Sequence, residues 1–286
     1  MARQIVVGVD GSAPANAAVE WAAMDARRRG LDLRVVHVCE EWPRGIGAAE
    51  YCAGTLEAAA DRARRLTGTA RVTGALLSGH VAHDLIAESA TADSIVLGSR
   101  GLGGFAGMVV GSIGMAVAGH AAGPVVIVRG PSPYVHGRVT VGYDGSEHST
   151  AAMEYAIEQA RARDAELHVV YGWQMPVLSP YAVAYNGLIE EIMREQAEEA
   201  RERVVPWRER HPDVRIVDEQ LCEHPVPLLV KASQSADLVV VGSRGRGGLA
   251  AAVLGSVGHG VLHHVTCPVA VVRPHPSGPH PSPAES

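Results

Sequence analysis

Asp10 and Asp144 each close a short β-branched run and each precede Gly-Ser, in Val7-Gly-Val-Asp-Gly-Ser12 and Val141-Gly-Tyr-Asp-Gly-Ser146. A carboxylate at the C-terminal end of a parallel strand can accept hydrogen bonds from ribose hydroxyls, or it can cap the turn that follows. Two further segments share one spacing: Gly98-Ser-Arg-Gly101, nine residues, then Gly111-Ser112; and Gly242-Ser-Arg-Gly245, nine residues, then Gly255-Ser256. Each glycine pair follows an apolar run and leads to a helical pattern. Glycines let a backbone turn sharply and approach a ligand closely. The free N–H groups of the helix start, aided by the dipole, hold an anion such as phosphate. The serine hydroxyl can cap the helix or donate to that phosphate. The surplus glycines at 103, 104, 107, 247 and 248 read as loop flexibility.

These residues need a frame, and the chain repeats its frame. A shift of 134 residues carries Asp10 onto Asp144, Glu20-Trp21-Ala22 onto Glu154-Tyr155-Ala156, and Val35-Val36-His37 onto Val169-Val170-Tyr171. Later the shift is 144: Ala92–Gly101 falls on Ala236–Gly245. The second copy therefore holds about ten extra residues in its middle, at 173–190 or in the helix that follows. Each copy alternates strand and helix, the order of a parallel sheet. The strands fall near 3–9, 31–38, 71–77, 93–98 and 124–129, then near 137–143, 165–172, 213–221, 237–242 and 267–272. Helices fall near 13–29, 50–67, 81–91 and 111–122, then near 147–163, 187–210, 224–235 and 255–265. Runs such as Ile5-Val6-Val7 and Val239-Val240-Val241 are apolar on both faces, as in strands covered on both sides. Ser12 and Ser146 stand at helix N-caps, and Gly30 at a C-terminal cap. The expected domains are 1–132 and 136–274, joined by the Pro-rich stretch around 130–137. The Pro/His/Ser tail at 275–286 cannot build a core and is expected to be disordered.

Composition narrows the function. The chain has 286 residues and a formal charge of −6, with no basic excess for a nucleic-acid partner. Residues 1–134 balance 12 Arg against 12 acidic side chains, so the deficit lies in the second half. The four cysteines at 39, 52, 222 and 267 form no CxxC pair and read as separate thiols of a reducing compartment. No histidine pair shares a helix face with a carboxylate, so no metal site is expected. Met1 leads directly into a strand, with no signal peptide and no 18-residue apolar span, so a soluble, cytoplasmic protein with no membrane partner is expected. The glycines follow the fourth strand rather than the first, unlike a dinucleotide fingerprint, and no GK[ST] of a Walker loop exists.

A strand-end Asp followed by G-x-x-G, nine residues and G-[ST] resembles the ATP-binding signature of the universal stress protein family, in its tandem two-domain form. The resemblance covers nearly the whole chain except the tail. It implies an α/β fold of two tandem Rossmann-like domains, each a five-stranded parallel sheet in order 3-2-1-4-5 flanked by helices. It also implies that Asp10 contacts ribose, that the backbone of Val38 meets adenine, and that Gly98, Gly101, Gly111, Ser112 and Ile113 line the phosphate path. In copy two the same roles pass to Asp144, Gly172, Gly242, Gly245, Gly255, Ser256 and Val257. Gly172 departs from Val38, leaving adenine only a backbone contact there. The ligand so implied is ATP, with Mg²⁺ on its phosphates, and the role is nucleotide-dependent regulation of stress or growth. The fifth strands are sheet edges that pair two halves or two chains into a dimer. A slow ATP-hydrolysing enzyme is the second reading. Against it, no motif places a general base or arginine finger, though Arg100, Arg244 and Arg246 lie in the loops.

Overall fold

The computed structural model describes residues 4–40, 48–68, 70–102, 110–130, 135–174, 186–246 and 254–274. The first copy runs β1 (Gln4–Gly8), α1 (Ala13–Arg29), β2 (Asp32–Cys39), α2 (Ala48–Thr67), β3 (Val72–Ser78), α3 (Val81–Glu88), β4 (Ser94–Gly98), α4 (Ser112–His120) and β5 (Val125–Val128). The second runs β6 (Arg138–Gly142), α5 (Glu147–Arg163), β7 (Glu166–Gly172), α6 (Asn186–Glu202), α7 (Val205–Arg210), β8 (Ile216–Leu221), α8 (Pro225–Ser233), β9 (Leu238–Gly242), α9 (Ser256–His264) and β10 (Val269–Val272). The expected single helix over 187–210 is two helices. Pro206 sits at the start of α7; lacking an N–H and restricting the residue before it, it fits a new helix start and not a helix interior. The extra residues at 175–185, the surplus loop glycines and the 275–286 tail lie outside the described residues.

Within each copy the strands pair in parallel in the order 3-2-1-4-5, and the two halves join into one ten-stranded sheet, β3-β2-β1-β4-β5-β10-β9-β6-β7-β8. The join is antiparallel, with Val269 opposite Ile127 and Val271 opposite Val125. The fifth strands are thus paired to each other inside one chain, the first of the two arrangements expected for them. No second chain can add at either, and among the described residues the sheet edges are β3 and β8.

Two apolar layers cover the sheet. α1, α2 and α5 pack on one face around Ala18, Ala22, Ala156 and Leu167, and α3, α4, α8 and α9 on the other around Leu229, Val117 and Val261. Both layers run across the join without a break. Small side chains on α1 and α5 let these helices lie close to a Val-rich sheet, so the single Phe is not missed. The caps behave as expected. Ser12 Oγ accepts from the Ala15 N–H, Ser146 Oγ from the Ser149 N–H, and Gly30 closes α1 at φ 63°.

α1 and α5 also meet, through a buried charge cluster. Asp25 is 0 % exposed. It pairs with Arg163 at 3.0 Å and Arg29 at 3.4 Å, and accepts from Gln159 Nε2 at 3.2 Å. Arg29 continues to Asp93 at 2.6 Å and Glu158 at 3.1 Å. The two guanidinium groups also lie over aromatic faces, Arg29 on Tyr155 and Arg163 on Trp21. Near the paired edges, Arg129 donates to the Leu262 carbonyl and Arg273 to the Gly119 carbonyl, so each half ties down the other's last helix.

Candidate functional site

In a sheet of order 3-2-1-4-5 the chain leaves strand one toward one face and strand four toward the other, which opens a crevice between their C-terminal ends. Each half has its cleft there. The first, about 280 Å³, is lined by Asp10, Val38, Gly98, Gly101, Gly111, Ser112 and Ile113. The second, about 480 Å³, is lined by Asp144, Gly172, Gly242, Gly245, Gly255, Ser256 and Val257. All fourteen residues singled out from the sequence therefore converge, seven to a cleft.

Each carboxylate is held by backbone. Asp10 accepts from the N–H of Ser12 and of Leu102, both at 3.0 Å. Asp144 accepts from Ser146 N–H at 2.9 Å and Arg246 N–H at 3.1 Å. The two meanings of a strand-end Asp are thus compatible at Asp10: two lone pairs fix the loops after the first and fourth strands, and a carboxylate has further lone pairs for a hydroxyl donor. Partial burial opposes the charge on Asp144, but hydrogen bonds from Ser146, Ser149 and Arg246 outweigh it and hold the carboxyl below its usual range.

The glycines differ in purpose. A Cβ on Gly98 would stand 2.6 Å from Pro14 C and 2.7 Å from Ala15 N, and one on Gly242 2.8 Å from His148 C. These two let the first helix of each half start against the end of the fourth strand. A Cβ on Gly101 would meet Asp10 Oδ2 at 2.5 Å, and one on Gly245 Asp144 Oδ2 at 2.8 Å. Gly111 is different: a Cβ there would have Ser99 O at 3.7 Å as nearest neighbour, so its bareness serves the cleft.

The loop ends are pinned by Gly111 N–H to Ser99 O at 2.7 Å and Gly255 N–H to Ser243 O at 2.8 Å. Gly111 and Gly255 are the N-caps of α4 and α9, and among the described residues no side chain caps either helix. Ser112, Ile113, Ser256 and Val257 line the clefts, and their first-turn N–H groups have no side-chain capping oxygen among the described residues; a helix start so left open can receive an anion. In the second cleft the half-buried Arg244 adds a guanidinium whose buried Nε has no hydrogen-bond partner among the described residues. Burial and the nearby Arg244 charge lower the pKa of His148, whose Nδ1 lies 2.9 Å from Ser243 Oγ. A phosphate fits this donor set.

Each cleft also has an apolar lining, and most of it escaped the sequence reading. Val9, Val36, Val81, Leu85 and Leu97 wall the first cleft, and Tyr143, Val170, Pro225, Leu229 and Val241 the second. The signal was present in the apolar residues opening α3 and α8, but only the sheet order shows that those helices overhang the crevice. Gly172 is also explained. Its missing side chain makes room for Glu223 O (2.8 Å), Leu228 Cδ1 (2.8 Å) and Pro225 Cα (3.0 Å), so the turn before α8 dictates it.

The cysteines correct the sequence reading. Cys39 and Cys52 are joined as a disulfide, with Cα atoms 6.2 Å apart, while Cys222 and Cys267 are free. Spacing could not show this, because the contact is made by α2 folding back over the end of β2.

Fold and clefts together define a duplicated, doubly wound α/β protein with one crevice in each half lined by a helix N-terminus and a strand-end carboxylate. The chain belongs to the universal stress protein family, whose sequence model matches residues 1–129 and 136–273. It is 34 % identical over 303 residues to universal stress protein Rv1996 of Mycobacterium tuberculosis, covering 94 % of each chain. It is 35 % identical over 289 residues to Rv2005c of the same organism, covering 94 % of this chain and 96 % of the relative. Among solved structures it is similar to a universal stress protein from Archaeoglobus fulgidus, with a TM-score of 0.69 at 20 % identity, covering 96 % of this chain and 97 % of that one. That last likeness concerns the fold. No helix among the described residues is long and apolar enough to cross a membrane.

Proposed function

We propose that the two domains, 1–132 and 136–274, each bind one adenine nucleotide, ATP, and that occupancy sets the protein's conformation or partner in stress or growth control. The observation that carries this reading is the same in both halves. A helix N-terminus with no side-chain cap among the described residues and a strand-end carboxylate line one cleft together with apolar side chains. In this reading the first-turn amides at Ser112–Ile113 and Ser256–Val257 hold phosphate. Asp10 and Asp144 accept from ribose. The backbone at Val38 and Gly172 borders adenine. Mg²⁺ accompanies the phosphates.

The test is to extract and count nucleotide from the purified protein by chromatography, then titrate ATP into wild type, Asp10→Ala and Asp144→Ala. Two ATP per chain, reduced to one by either substitution, is the expected result. No adenine nucleotide and no binding of added ATP would overturn the proposal. ATP retained intact over hours identifies a binding protein; release of ADP and phosphate at a rate that Arg244→Ala lowers identifies a slow ATPase.

A further inference from the structure

Cys39 ends β2, and Cys52 lies in the second turn of α2. Position along β2 brings in a third group. His37 precedes Cys39 by two residues, so both side chains leave the strand on the same face. A ring nitrogen of His37 and both sulfurs lie within 4.8 Å of one another. Among the described residues no other three His, Cys, Asp or Glu side chains come together this closely. His37 and Cys52 are buried and Cys39 is half-buried, so the group is sheltered yet reachable from one side.

The histidine is oriented for ligation. Its Nδ1 lies 2.7 Å from the carbonyl oxygen of Val9. A carbonyl only accepts, so Nδ1 carries the proton and Nε2 keeps the lone pair. An N–H donated to a backbone carbonyl is the support that metal-bound histidines generally have, because it fixes the ring and makes the other nitrogen more basic. α2 is fixed as well: Tyr51 and Thr55 pack against the Gly11 turn, within 3.4–3.8 Å of where its Cβ would be. The cluster is thus held by two anchored elements and one oriented ring.

We propose that His37, Cys39 and Cys52, once the disulfide is reduced, form a site for a thiophilic d¹⁰ cation, and that reoxidation by a low-molecular-weight disulfide, which is itself reduced to two thiols, abolishes it. Reduction consumes two equivalents of a low-molecular-weight thiol. The first thiolate attacks one sulfur and releases the other cysteine; the second attacks the mixed disulfide, leaving two protein thiols and one small-molecule disulfide. Cation binding then sends two thiol protons to solvent and leaves two thiolates and one neutral imidazole around the ion. Zn²⁺ gives a neutral centre and takes water as a fourth ligand. Cu⁺ is satisfied by the two soft thiolates and the imidazole in three-coordination.

The test uses the full chain, reduced and freed of reductant under anaerobic conditions. Zn²⁺ and, separately, Cu⁺ are titrated against a chromophoric chelator, with Co²⁺ as a probe of thiolate-to-metal absorption. The expected result is one equivalent per chain for Zn²⁺ or Cu⁺, none for the disulfide form, and at least about a 100-fold loss of affinity in Cys39→Ser and Cys52→Ser. Cys222→Ser and Cys267→Ser should bind as wild type does. Circular dichroism of each variant separates lost ligation from lost folding, and if Cys39→Ser fails to fold, Cys52→Ser decides. Absence of binding in the reduced protein, or binding that survives both substitutions or the disulfide, would overturn the proposal.

Discussion

The contrast between Gly98 and Gly111 makes a prediction that a shared motif would hide. In Gly98→Ala the new Cβ meets backbone atoms of Pro14 and Ala15 at 2.6–2.7 Å. Backbone cannot rotate away, so the first turn of α1 must retreat by about 0.8 Å to restore ordinary contact at 3.4 Å. Such overpacking costs about 1–3 kcal/mol, and rigid neighbours place this case at the upper end. In Gly111→Ala the nearest atoms are 3.7 Å and 3.9 Å away and φ is −74°, so nothing clashes and no strain arises. Losing Gly at an N-cap costs about 0.5–1 kcal/mol, and the lower freedom of the unfolded chain returns about as much. The new methyl nevertheless stands at the mouth of α4. Lifting a phosphate off one charged hydrogen bond costs about 1.5–3 kcal/mol, a loss of roughly 10- to 150-fold in affinity. Urea denaturation and calorimetric ATP titration should therefore separate the two variants: Gly98→Ala weakened as a fold, Gly111→Ala as stable as wild type but with one site impaired. The second cleft is the internal control. Wild-type ATP affinity at both sites in Gly111→Ala would refute the phosphate path, and an undiminished urea midpoint in Gly98→Ala would refute the close approach.

Asp25→Ala leaves Arg29 and Arg163 without their shared buried carboxylate and should lower unfolding stability by about 3–5 kcal/mol. Arg62→Ala, which breaks the half-exposed pair with Glu20, should cost under about 1 kcal/mol in the same urea experiment. Asp144 has a folded pKa below its unfolded value, so its contribution is present above the ordinary carboxylate range and lost as pH falls through the folded pKa. Asp144→Asn should therefore trail wild type in urea midpoint at neutral pH and converge with it under acid; a constant gap would contradict the shift. Gly172→Val, which restores the first copy's residue, should destabilise by about 1–3 kcal/mol, because its Cβ meets Glu223 O and Leu228 at 2.8 Å. A thermal midpoint equal to wild type would show that the turn before α8 yields.

Much of this was legible because the information is local or repeated. Alternating elements announce a parallel sheet, its strand order is what the family resemblance of the duplicated signature implies, and the caps at Ser12, Ser146 and Gly30 are read within four residues of themselves. Asp10 and the glycines are likewise visible as a spacing. What escaped depends on contacts between distant segments. The Cys39–Cys52 bond needs α2 laid over β2, and the apolar slot needs α3 and α8 above the crevice. The purpose of Gly172 lies 51 residues away at Glu223. The break at Pro206 was readable from the sequence, yet the charged 3.6-residue pattern on both sides of it masked the stop.

The antiparallel pairing of β5 with β10 has a consequence for how the two halves could change. In a two-fold homodimer every residue on one side of the axis recurs on the other, so a substitution there is made twice at once. With both partners on one polypeptide, the linker holds the second half at a high effective concentration, and the interface no longer has to be self-complementary. The pair Asp25 and Gln159, equivalent under the 134-residue shift, shows the freedom this gives. A symmetric dimer would bring two buried carboxylates, or two amides, face to face; here one of each hydrogen-bonds across the axis. Covalent union has let a mirrored contact become a lock and key.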